Sequence, residues 1–183
     1  MTKEEFNIEI IKLHWLENFD NPEDRCVHGK VRVKIGSEIV EDNTDDINDW
    51  WTLNAMALHL LRTLETNHTK TSPVAQCLVP GEGHHIDHNE NDFSVHIETA
   101  YPMVSGRNWW VTHFENEIIL ETENGNKTSI QFQTYKKEVL AFADKVEDFY
   151  KTSSPKKLPE NKYDRDGYLK FWNEWNVRRN KWN

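Results

Sequence analysis

Long apolar runs are absent from these 183 residues, and cysteine, glycine and proline are scarce, at 2, 7 and 6. No stretch approaches the roughly 20 apolar residues a membrane-spanning helix needs. The N-terminal "MTKEEFNIEIIKLHW" breaks its apolar residues with acids and lysines, so it reads as neither a secretory signal nor a span. Cys26 and Cys77 have no metal-type spacing and are too few for a disulfide framework. "VPGEG" has no Lys-Ser/Thr after it and is not a phosphate loop, and no G-x-S-x-G occurs. Internal repeats and low-complexity tracts are missing too.

Positive charge is also short. Lys and Arg number 22 against 31 Asp and Glu, giving a net charge of −9 and a pI near 5.5. Such a surface repels phosphate backbones and anionic lipid, so neither nucleic acid nor membrane is an expected partner. It attracts a basic protein. A cytoplasmic location is expected.

Aromatic residues are abundant, with 8 Trp, 8 Phe and 5 Tyr. Large rings bury much area each, so a chain that is only 37% apolar can still build a core. Phe6, Ile8 and Ile10 alternate, and the phase then shifts to Ile11 and Leu13, which predicts a strand with a bulge near Ile10–Ile11. Val31, Val33 and Ile35 alternate with Lys30, Arg32 and Lys34, the pattern of a half-exposed antiparallel strand. Apolar residues then recur every three to four positions (Trp51, Ala55, Leu58, Leu61, Leu64), predicting a helix over 46–67. Further strands are expected at 84–88, 93–98, 109–114, 117–122 and 128–135, with a hairpin at Asn124-Gly125. Helices are expected at 136–151 and 164–181, the last carrying Tyr168, Phe171, Trp172, Trp175 and Trp182.

The order of elements predicts an α+β fold: an antiparallel β-sheet with two amphipathic helices packed on one face and an aromatic C-terminal helix. The expected organisation is an α+β domain over 1–152, a linker over 153–163, and a helix over 164–183 docked on the same domain.

Four of the nine histidines fall in "GEGHHIDHNENDFSVHIE" (81–98). A hairpin turning at Asn89–Asp92 would put His85 opposite His96 and Ile86 opposite Val95. Alternation then gathers His85, Asp87 and His96 on one face, with Glu98 a step beyond. Two imidazoles and a carboxylate suit Zn²⁺ or another divalent metal, which defines one reading: a small metal-dependent hydrolase. The other is a polar hairpin face that binds nothing, with no cofactor at all. "GHHIDH" falls short of the H-x-H-x-D-H signature of metallo-β-lactamase-like hydrolases, because Gly83 stands where the first histidine belongs.

Trp50-Trp51 and Trp109-Trp110 are adjacent pairs. Neighbouring side chains point in different directions, so one ring of each pair is expected to leave the core. Trp and Tyr dominate binding hot spots, which makes Trp109, Trp110 and Trp50 the candidate binding residues. Charge, rings and the lack of a catalytic constellation together predict a binding protein without catalytic activity. One concrete form is an immunity-type protein that neutralises a basic bacterial toxin, where opposite charge speeds encounter.

Overall fold

The computed structural model describes residues 6–44, 51–81, 84–99 and 108–183. Among these residues, nine strands form three antiparallel sheets around three helices, an α+β fold that ends in the aromatic helix. No helix in the described residues is long and apolar enough to cross a membrane.

The first sheet joins β1 (Phe6–His14), β2 (His28–Ile35) and β3 (Glu38–Asp42), with the two-residue β4 (Trp51–Thr52) also paired to β2. The expected bulge is present: the β1–β2 register shifts between Ile10 and Lys12, leaving Ile11 unpaired and exposed. Phe6, Ile8, Val31, Val33 and Ile35 fill the buried face.

The helix expected over 46–67 is α1, and it spans Leu53–Thr63. Its predicted start, 46–50, lies outside the described residues. Trp51 and Thr52 are extended instead, held as β4 by Gly29 and His28, and the Thr52 hydroxyl donates to Gly81 O at 3.0 Å. All eleven residues of α1 are buried, including Asn54, His59, Arg62 and Thr63. An apolar stripe usually marks a surface helix, but α1 is central, and each of its sides meets another element.

A two-stranded sheet pairs β5 (His84–Asp87) with β6 (His96–Thr99). The third sheet is β7 (Trp109–Phe114), β8 (Glu117–Thr122) and β9 (Lys127–Gln131). The Asn-Gly turn joins β8 to β9, and Gly125 supplies its positive φ of 82°. Helix α2 (Phe132–Lys151) follows at once and buries Tyr135, Val139, Phe142, Ala143 and Val146. Tyr135 reaches β1, its ring 5.0 Å from that of Phe6.

Residues 153–161 form no helix or strand and are fastened to the 15–25 segment. Lys157 N–H donates to Pro22 O at 2.8 Å and Ser154 N–H to Asp20 Oδ2 at 2.6 Å. Lys156 Nζ pairs with Asp20 at 2.6 Å and sits 3.3 Å from the centroid of the Trp15 ring. Helix α3 (Lys162–Asn180) starts at Asn161, whose side chain accepts the N–H groups of Tyr163 and Asp164. Its Phe171 and Trp175 join the same core. Gly167 lets α3 lie on β5, since a Cβ there would stand 2.9 Å from Ile86 O.

Candidate functional site

The histidine hairpin forms, but in another register. His85 faces Glu98, Ile86 faces Ile97 and Asp87 faces His96. The expected pairing had set Ile86 against Val95. The correction has a cause in the interior. Val95 N–H donates to Glu174 Oε2 at 2.9 Å, and its carbonyl accepts from Arg62 at 2.6 Å, so neither group is left for the ladder. β6 therefore begins at His96. An offset of two preserves alternation, so His85, Asp87, His96 and Glu98 still share a face.

Sharing a face does not make a metal site. Tyr163 of α3 donates its hydroxyl to Asp87 Oδ1, and its ring stacks with both His85 and His88, at 6.0 and 4.5 Å between centroids. His96 turns instead to Glu98, 4.0 Å away, and both are largely exposed. Among the described residues no three His, Cys, Asp or Glu side chains are gathered to hold a metal ion. The trio His85, Asp87 and His96 is thus split, with two members engaged by α3 and the third elsewhere.

The tryptophans separate as alternation requires. Trp109 is fully buried, which removes it as a surface anchor. Trp110 points the other way and is half-buried. Trp51 is buried, and Trp50 lies outside the described residues. The Trp110 ring stacks on His68 with 5.1 Å between centroids, and Lys70 Nζ stands 5.8 Å from its centre. Burial drives the His68 imidazole down to about 4, so it is a neutral platform.

Trp110 belongs to a larger surface. Directly opposed residues share a face, and the pairs Trp110–Glu121, Thr112–Ile119 and Phe114–Glu117 all lie on the outer side of the third sheet. β9 adds Lys127, Ser129 and Gln131. Every one of these is half-buried or exposed, whereas Trp109, Val111, Ile118, Leu120 and Ile130 on the inner side are buried. Ile119 is the diagonal neighbour of both Trp110 and Phe114, a spacing of ~7–8 Å that rings can bridge. Phe114 is 57% exposed. Beside it Glu115 adopts a φ of 52°, a left-handed conformation uncommon for a residue with a side chain. Glu117 is held by Ser129 at 2.6 Å and Gln131 at 3.0 Å, and Glu121 pairs with Lys127 at 3.0 Å. The face therefore carries a zigzag of three apolar side chains with carboxylates along its edge.

The doubled tryptophans marked Trp110 as a candidate, while Phe114 and Ile119 went unmarked. Alternation in "EIILET" was the available signal: with Ile118 and Leu120 inside, Ile119 had to face out.

The cysteines do not extend the chemistry. Burial pushes the Cys26 thiol up to about 12 and Cys77 to about 11, so neither is a thiolate near neutral pH. No protein-family model matches the chain, and no curated protein or solved structure is significantly similar to it.

Proposed function

We propose that this chain is a non-enzymatic binding protein that receives a basic protein on the outer face of β7–β9. The observation that carries the reading is the Trp110–Ile119–Phe114 zigzag, half-buried at Trp110 and Ile119, exposed at Phe114, and edged by Glu115, Glu117 and Glu121. An apolar centre inside a polar rim is the anatomy of a protein interface. The net charge of −9 favours a partner of opposite sign. Neutralisation of a basic toxin in the cytoplasm is the concrete form that fits this charge.

The test is recovery of a partner from the source cell, followed by binding kinetics. Trp110→Ala is expected to speed dissociation at least tenfold, because it empties the desolvated centre. Glu117→Gln with Glu121→Gln should mainly slow association, and the effect should shrink as salt is raised. A partner that binds the folded Trp110→Ala and Phe114→Ala variants with unchanged dissociation would place the interface elsewhere.

A further inference from the structure

A second concavity lies far from that face in the sequence. The segment before β2, the start of α1, β5 and the first turns of α3 enclose a cavity of about 290 Å³. Among the described residues its walls combine apolar surface with Arg25, Asp164 and the imidazole of His85. We propose that this cavity binds a small zwitterion, a free α-amino acid with an apolar side chain, holding its carboxylate at Arg25 and Asn54, its ammonium at Asp164, and its side chain against Phe171, Ile86 and Pro159.

Asn54 is the strongest element. It is only 2% exposed, yet it lines the cavity. Its Oδ1 accepts the Val27 N–H at 3.1 Å, and its NH2 group has no acceptor among the described residues. That amide group faces the cavity, where a ligand oxygen can accept from it. Arg25 is anchored in a similar one-sided way. Its Nε donates to Lys157 O at 2.7 Å, and the remaining N–H groups of its fork make no hydrogen bond among the described residues. Those groups match a carboxylate in shape as well as in charge. The guanidinium is also close enough to act electrostatically on both Cys26 and Tyr168.

Asp164 is exposed at the mouth, and its carboxylate has no hydrogen-bond partner among the described residues. Asp24, the other nearby acid, is engaged: its carboxylate accepts the N–H groups of Leu16 and Cys26. Among the described residues one cation and one anion therefore remain available, which favours a ligand carrying both signs over a simple anion. Tyr168 completes the wall. Burial raises its pKa, so the phenol stays protonated and able to donate. The Cys26 thiol is neutral for the same reason and serves as wall.

The probes are L-leucine and L-phenylalanine, with leucinamide and N-acetyl-leucine as the compounds lacking one charge. The readout is the side-chain NH2 resonance of Asn54 by NMR, titrated to ~10 mM, a range that captures dissociation constants up to the millimolar level. Both amino acids are expected to shift that resonance, and leucinamide and N-acetyl-leucine to bind at least about tenfold more weakly. Asp164→Asn, a change at an exposed position that leaves the fold intact, should weaken amino-acid binding by roughly tenfold and leave N-acetyl-leucine unaffected. No shift with either amino acid, equal affinity for leucine and leucinamide, or unchanged binding to Asp164→Asn would each overturn the proposal.

Discussion

Two groups of titratable side chains in this molecule each set two basic residues beside two carboxylates, and they are opposite in role. One is the exposed face of the histidine hairpin: His85, Asp87, His96 and Glu98. The other lies inside, where α1, α3 and the 94–95 backbone meet. Arg62 grips Glu174 with two bonds, at 2.8 and 2.9 Å, and also donates to Val74 O and Val95 O. Glu174, fully buried, accepts from Arg178 as well, and Arg178 reaches Glu65 and Ser94. Burial alone would raise the Glu174 pKa, but Arg62, the Val95 N–H and Arg178 outweigh it and hold the carboxyl below its ordinary range. The dense local cluster, conspicuous in sequence, is loosely arranged at the surface. The interior cluster joins positions 62, 65, 74, 94, 95, 174 and 178, and it is almost fully hydrogen-bonded. Charge in this chain is organised by burial and not by proximity in sequence.

The largest effect is expected from putting an unpaired charge beside the paired one. Leu61 is fully buried next to Arg62. Leu61→Asp should cost on the order of 3–5 kcal/mol or prevent folding, since it buries a carboxylate beside an Arg62 already committed to Glu174, Val74 O and Val95 O. A soluble variant with native melting behaviour would refute this view of α1 as a central helix.

Breaking the pair should come next. Glu174→Leu strands Arg62 in the interior and should cost about 3–4 kcal/mol in urea unfolding. Adding Arg62→Met should recover at least about half of that loss, because two apolar residues leave no orphaned charge. Additive losses in the double variant would show that packing, and not charge pairing, holds α3 to α1.

Acid should act on the protein through its buried histidines. His68 titrates near 6.5 when unfolded and at about 4 when folded. Between those values the unfolded chain binds a proton that the native state refuses, so stability falls as pH falls through that window. The loss is about 3 kcal/mol for His68, at about 1.4 kcal/mol per pKa unit. Burial lowers His14 and His28 as well, and their contribution has the same sign. His68→Gln should flatten the stability–pH profile between pH 6.5 and 4.

The smallest effect belongs to the hairpin. His85→Ala combined with His96→Ala should shift stability by under about 1 kcal/mol, and Zn²⁺ or Mn²⁺ should not raise the melting temperature of either protein. Stoichiometric metal that is lost in the double variant would restore the hydrolase reading.

Much of the fold was legible because it depends on local periodicity. The β1 bulge, the Asn-Gly hairpin, and the cores of α2 and α3 each follow from a few neighbouring residues. The hairpin register was not legible, because it turns on Val95 being taken by Arg62 and Glu174, which are remote in the chain. α1 could be predicted as a helix but not as one buried on every side, since its polar residues find their partners only after the chain has closed around it. For the candidate surface, alternation separated Trp109 from Trp110 without showing which faced inward.

The sequence by itself determined an acidic, aromatic-rich α+β chain, because composition sets charge and because periods of two and three to four set strand and helix. Only the tertiary structure decided what its polar side chains do. Burial made His68 neutral and the Cys26 thiol inert, pairing made Arg62 and Glu174 structural, and Tyr163 of α3 engaged both Asp87 and His85. The physical reason is that a titratable group takes its character from solvent exposure and from the charges beside it, and both are fixed by contacts between residues far apart in the chain.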